Sequence, residues 1–223
     1  MKQHDLFVSA PAEGRVRSLL GEAVAVQVSL QRLSVDIIRA AGACVEALAG
    51  QGRVLVFGNG GSAAEAQHFA AELSGRFLRN RRALAGLALT SDGSVLTAIS
   101  NDFGFQQVFA RQVAAFGLPA DVAVGISTSG CSANVIEGLK TARAAGLTTI
   151  AVTGPDAGPM AEHANIVLAV PGSSTARIQE GHLTALHVIC DLVDAALVDG
   201  LPLFADCQTE IDEAMRAVNG TQA

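Results

Sequence analysis

Apolar positions change their spacing several times along this chain, and each change marks an element. From about residue 13 to 50 they recur at helical intervals (Leu19, Leu20, Val24, Val28, Leu33, Ile37), which predicts helix before any strand. Ser34 and Asp36 are placed to cap a second helix within that stretch, and Gly50-Gln51-Gly52 stops it. Short unbroken apolar runs then alternate with helical stripes. The predicted order is strand 53–58, helix 62–77, strand 84–90, helices near 93–100 and 104–116, and strand 121–127. Helix 132–145, strand 147–153, a short helix near 159–163, strand 166–170 and a long helix over about 176–198 follow. Short, continuously apolar strands between helices belong to a parallel sheet covered on both faces. The expected fold class is therefore α/β, a doubly wound three-layer αβα sandwich on a five-stranded parallel sheet. Ligands in such folds bind at the carboxyl ends of the strands.

The N-terminal helices, residues 1–50, have no obvious place in that sandwich and are more apolar than one sheet face requires. They are expected to be buried against other subunits. Residues 51–200 form the sandwich. Residues 201–223 open with Leu201-Pro202, hold a weak helical pattern near 208–218, and read as a peripheral tail.

Composition narrows the function classes. Half of the 223 residues are hydrophobic, enough for a substantial core, while Trp and Tyr are absent. The net charge is −6 and the only lysines are Lys2 and Lys140, so no basic patch suits direct nucleic-acid binding. Cys44, Cys131, Cys190 and Cys207 are widely spaced, which argues against a disulfide framework or zinc knuckle and fits a reducing cytoplasm. No signal-peptide core and no uncharged apolar run of about 18 residues is present, so a membrane span is not expected.

Two strand-to-helix junctions hold the candidate chemistry. The first, Gly58-Asn59-Gly60-Gly61-Ser62-Ala63, matches the dinucleotide pattern G-x-G-x-x-A. That pattern expects an acidic residue about 20 positions on, and the nearest one at a strand end is Asp92, about 30 positions on. Phosphate or sugar-phosphate contact is the preferred reading, ahead of a bare turn and, further behind, of a nicotinamide site. The second junction, Ser127-Thr128-Ser129-Gly130-Cys131-Ser132, has four hydroxyls in six residues. An ordinary helix N-cap needs one, so the surplus points to an anion such as phosphate at a helix N-terminus. The Gly-Lys-Ser/Thr ending of a nucleoside triphosphate loop is missing.

The first junction opens a helix on which His68, Glu72 and Arg76 recur every four residues, a spacing that shares one face. Metal ligation, acid–base work and a solvated surface all fit that pair of His and Glu. A late helix with Gln179, Glu180 and His187 supplies possible partners; for Gln179 and His187 to act together, Gln179 should lie in an irregular first turn. Asn101-Asp102 stands at the same sheet edge, with a helix cap as its alternative role. His163 and His182 have no identifiable partners, and Cys131 reads as a small buried residue.

Taken together, these motifs resemble the sugar isomerase (SIS) domain family, and within it the sedoheptulose 7-phosphate isomerases. The resemblance spans about residues 14–198 and rests on Gly58–Ser62, His68–Arg76, Asn101–Phe105, Gly125–Gly130 with Ser132-Ala133-Asn134, and Arg177–Glu180 with His187. It implies a flavodoxin-like sandwich and a homotetramer with active sites between subunits. It also implies conversion of sedoheptulose 7-phosphate to D-glycero-D-manno-heptose 7-phosphate, which feeds lipopolysaccharide or related glycans. By the same resemblance Ser127, Thr128, Ser129 and Ser132 hold the phosphate. Asn59, Gly60, Gly61, Glu72, Asn101, Asp102 and Gln179 contact the sugar, and Glu72 and His187 are the acid–base pair. Zinc in such a site falls to His68, Glu72, Gln179 and His187.

One run points elsewhere. Some of these isomerases have an acidic residue where this chain has Ala176, and Ala176-Arg177-Ile178-Gln179-Glu180 resembles the family's non-catalytic relatives, which bind the replication initiator DnaA. Those relatives lack the pair corresponding to Glu72 and His187. This chain keeps both, which favours the enzyme over the interaction factor.

Overall fold

A computed structural model describes residues 9–204. Five strands form one sheet: β1 (Val54–Gly58), β2 (Gly86–Ala88), β3 (Val122–Ser127), β4 (Thr148–Thr153) and β5 (Ile166–Ala169). Their order is β2-β1-β3-β4-β5 and every pairing is parallel. The chain leaves β1 toward one edge and returns at β3 to build toward the other, so the switch point lies between these two strands. In register, Gly58 sits beside Ile126 there, and the following residues of each strand open the two candidate loops.

Among the described residues seven α-helices accompany the sheet: α1 (Ala10–Ser29), α2 (Ser34–Ala49), α3 (Gly61–Ser74), α4 (Gly93–Phe103), α5 (Val108–Phe116), α6 (Ala133–Ala144) and α7 (Thr175–Asp194). Successive residues of a strand point to opposite faces, and β1 divides its side chains accordingly. Val54 and Val56 enter a core with Ile37, Cys44, Phe69 and Leu186. Leu55 and Phe57 enter the other, with Phe109, Val135, Leu139 and Met160. Phe57 stacks on Phe109 at 5.2 Å between ring centroids.

The predicted five-stranded sandwich is present, with four local corrections. First, α2 does have a place in it: Ala40, Ala41, Cys44 and Leu48 are buried in the core shared with α3 and α7. Only α1 stands outside, resting Val26, with Leu30 beyond its end, on Val170 while Val16, Leu20, Val24 and Val28 face outward. Second, α1 and α2 are separated by a 3-10 turn, Leu30–Leu33, and Ser34 does not cap α2 but turns its hydroxyl back to the Gln31 carbonyl. Third, α3 ends at Ser74, leaving Arg76 beyond the helix that holds His68 and Glu72. Fourth, β2 pairs over three residues only, as a short edge strand.

The long last helix runs through α7 into a π turn, Ala195–Asp199. By length and composition Thr175–Asp199 is apolar enough to cross a membrane, yet half of its apolar window is buried within the fold. Its apolar face forms a wall of the core, with Ala185, Leu186, Ile189 and Val193 buried. The weak helix expected near 208–218 lies outside the described residues.

Candidate active site

β3 ends at the buried Ser127, and the next residues curl into a loop in which the hydroxyls converge. Ser127 Oγ lies 2.8 Å from Ser132 Oγ and 3.3 Å from Ser129 Oγ, which accepts the Cys131 N–H at 3.2 Å. Ser132 occupies the N-cap position of α6 but makes no side-chain cap bond, because Ser127 engages its hydroxyl. The ordinary N-cap reading therefore fails for this loop. Gly130 adopts φ +65°, and a Cβ there would collide with the Ala157 carbonyl, so only glycine fits the bend. Cys131 is exposed at the loop surface rather than buried as expected.

The other loop begins one strand away. Gly60 has φ +56° and ψ −120°, a conformation reserved for glycine, and its carbonyl receives the Ala63 and Ala64 N–H groups that start α3. Asn59 faces across the switch point and exchanges two hydrogen bonds with Asn134 of α6, each 2.8 Å. This mutual amide pair ties the glycine loop to the hydroxyl loop. Gly61 leaves room for a neighbour from α7: a Cβ there would strike the Gln179 carboxamide.

Two turns along α3, three side chains meet. His68 Nε2 lies 3.3 Å from Glu72 Oε1 and 2.9 Å from His187 Nε2 of α7. The three ligand atoms all fall within 4.8 Å of one another, a donor set able to hold a metal ion. Phe77 lies against the His187 ring, 5.5 Å between centroids. Burial of His187 lowers its pKa from the ordinary imidazole value, the neighbouring His68 lowers it further, and Glu72 opposes both.

Gln179 is the fifth residue of α7, whose first turn is regular and capped by Ser174. The irregular first turn expected for it is therefore not found; the carboxamide instead reaches Gly61. Glu180 turns outward to Arg177 at 2.5 Å. Asn101 and Asp102 sit on the exposed last turn of α4, bonded to each other at 2.8 Å, and no hydrogen bond among the described residues joins them to the other candidates. Asp92, not these two, caps α4 by accepting from Ser94 and Val95 N–H.

Three residue pairs were invisible to sequence reasoning. One is Asn59–Asn134, whose second member showed only as part of the Ser132-Ala133-Asn134 run. A second is the buried pair Glu65–His182, 3.4 Å apart, in which His182 Nε2 faces the Thr153 carbonyl at 2.9 Å. A carbonyl cannot donate, so Nε2 is the donor in the Thr153 contact. The third is Arg81–Asp194, at 2.5 Å and almost wholly buried. Their members lie 75, 117 and 113 residues apart, which no local signal spans.

Glycine and hydroxyl loops at the switch point of a parallel sheet, with a His–Glu–His group beside them, define a sugar-phosphate domain of the SIS class. The SIS domain profile matches residues 22–154. The phosphoheptose isomerase of Aquifex aeolicus is 50% identical over 181 residues, covering 81% of this chain and 95% of the relative. That of Roseiflexus sp. is 43% identical over 197 residues, 86% of this chain and the whole relative. The solved phosphoheptose isomerase of Neisseria gonorrhoeae superposes with a TM-score of 0.77 at 44% identity, covering 82% of this chain and 98% of that one. The chain belongs to the phosphoheptose isomerase family of SIS domain proteins.

Proposed function

We propose that this protein is an aldose–ketose isomerase that converts sedoheptulose 7-phosphate to D-glycero-D-manno-heptose 7-phosphate through an enediolate. The observation that carries the reading is the meeting of Glu72, His68 and His187 on two helices, at the strand ends that also present the hydroxyl loop. Ser127, Thr128, Ser129 and Ser132 receive the phosphate, helped by the positive end of α6. Asn59, Gly60, Gly61 and Gln179 border the sugar chain. Glu72 removes the C1 proton of the ketose and returns it at C2. His187, kept neutral near pH 7 by its lowered pKa, moves the hydroxyl proton between O1 and O2.

The donor set also fits zinc: two imidazole nitrogens and a carboxylate oxygen converge, whereas the carboxamide of Gln179, eight residues before His187 on a regular α7, reaches Gly61 instead. When bound there, the ion supplies Lewis-acid polarisation of the sugar oxygens. Glu72 acts as base from the carboxylate oxygen left to it.

We assign the protein to a homotetramer with shared sites. The outward stripe Val16, Leu20, Val24 and Val28 supports this, as does an apolar groove of about 390 Å³ between the N-terminal helices and α7, lined by Leu30, Ile37, Val188 and Leu192. None of the candidate site residues lines that groove. Asn101 and Asp102, exposed and hydrogen-bonded only to each other among the described residues, are free to meet a site shared with a neighbouring subunit. Free thiols at Cys44, Cys131 and Cys190 suit a reducing cytoplasm.

The test is incubation of the purified protein with sedoheptulose 7-phosphate in D₂O, with and without a chelator, followed by NMR. Aldose anomeric signals with deuterium at C2 are expected, and Glu72→Gln abolishes them in a folded protein. Absence of aldose under both conditions, or near-normal turnover by Glu72→Gln, rejects the reading.

A further inference from the structure

Four arginines lie in the run from Arg76 to Arg82, and the isomerase reading gives none of them a task. Arg81 is the buried one. Its side chain is 4% exposed and meets Asp194, 0% exposed, at 2.5 Å. The same guanidinium donates from Nη2 to the Glu72 carbonyl at 2.8 Å and from Nη1 to the Leu73 carbonyl at 2.9 Å. Carbonyls in the last turn of a helix have no partner within it, so Arg81 serves as a side-chain cap for α3. Its charge also suits the negative end of the helix.

Asp194 works in the other direction. Its second oxygen accepts the Leu78 and Arg79 N–H groups at 3.2 and 3.1 Å, which winds the chain after α3 onto α7. That winding holds Phe77, the residue before Leu78, against the ring of His187. Along α7, Asp194 follows His187 by seven residues, two turns on the same face. One ion pair thus grips the backbone of Glu72 on one helix and stands two turns below His187 on the other. A buried ion pair is a poor source of net stability, because desolvation offsets its attraction. Geometry accounts for it better: the planar guanidinium fork fixes directions that a flexible ammonium cannot.

We propose that Arg81 and Asp194 are positioning residues of the isomerase site, a brace that sets the distance and angle between Glu72 and His187. The inference rests on the assignment of those two residues as the acid–base pair.

The decisive variant replaces both members together, Arg81→Met with Asp194→Leu, in the full chain. Apolar pairs of similar volume commonly keep a fold that held a buried ion pair. The expected result is a native circular dichroism spectrum and melting temperature with kcat for sedoheptulose 7-phosphate lowered about 30-fold, as for a reacting group misplaced by a fraction of an ångström. KM stays within about threefold, since the hydroxyl loop is untouched. Should the double variant not fold, Arg81→Lys keeps the charge without the fork and is expected to show the same split. A folded variant with kcat within about threefold of the parent overturns the brace, as does a loss that falls on KM with kcat unchanged. An inactive Glu72→Gln beside an active brace variant rejects the brace alone. An active Glu72→Gln rejects the acid–base assignment, and the brace with it.

Discussion

Asn134→Ala tests how the two loops of the site are held in one frame. The perturbation removes one member of the mutual amide pair with Asn59, two hydrogen bonds of 2.8 Å on a residue that is 3% exposed. A hydrogen bond of this kind contributes about 1 kcal/mol net, so losing both costs about 2 kcal/mol. For a domain of this size that corresponds to a melting temperature lower by about 4–8 °C. Asn59→Ala removes the same two bonds, so the double substitution is expected to cost little more than either single one. The cycle should return a coupling energy of about 2 kcal/mol, read from urea unfolding midpoints. Asn134→Asp sharpens it, because a carboxylate can accept from Asn59 Nδ2 but sets an oxygen against its Oδ1. That variant should be less stable than Asn134→Ala at pH 7. In turnover, either single change should raise KM, since the amide pair joins the glycine loop to α6 and its phosphate-facing end. Additive costs, with coupling below about 0.5 kcal/mol, would refute the view that these loops share one brace.

Gly61→Ala should displace the Gln179 carboxamide and lower kcat/KM about tenfold or more with little change in melting temperature, because Gly61 is exposed and opens a helix. A variant with parental kinetics would show that the Gln179 position is irrelevant to turnover. Thiol reagents at pH 8 should label Cys131 before Cys44 and Cys190, for burial pushes the Cys44 thiol up to about 12 and raises that of Cys190 as well. Native-state labelling of Cys44 or Cys190 detected by mass spectrometry would contradict the fold. The lowered pKa of His187 means the folded chain binds fewer protons than the unfolded one. Its share of stability is therefore present above the unfolded imidazole pKa, about 6.5, and is lost as pH falls from there through the lower folded value. His187→Asn should flatten the decline in urea midpoint between pH 7 and 5.5; an unchanged decline assigns it to other groups.

The strands were legible because a parallel sheet buried on both faces writes itself as unbroken apolar runs: Val54–Phe57 and Val122–Ile126 need no partner to be recognised. The hydroxyl loop was legible for a related reason, since its four hydroxyls exceed what any cap requires. The helix face of His68 and Glu72 followed from a four-residue spacing. What stayed hidden depends on which surfaces meet. The apolar residues of α2 gather on one face, which lines the core, whereas those of α1 are spread around the helix, with Val26 inward and Val16, Leu20, Val24 and Val28 outward; yet both helices were expected outside the sandwich. Arg81 and Asp194, like Glu65 and His182, read separately as ordinary charged residues, and only the packing of α3 on α7 gives them partners. The end of α3 at Ser74 does carry a local mark, the C-cap Gly75, which the expected span 62–77 overran; only the carbonyl cap supplied from Arg81 leaves no trace in the sequence.

α7 has one property that concerns length more than chemistry. Gln179, His182, His187 and Asp194 face four different partners, Gly61, Glu65, His68 and Arg81, that lie along α3 and the loop after it in the same order. The two segments are therefore graduated scales laid side by side. Inserting one residue between Gln179 and Asp194 would turn everything beyond it by about 100° and advance it by about 1.5 Å. Every later partner would be lost at once, even with all side chains retained. Point substitutions in this helix can be repaired one at a time, whereas a change in its count cannot.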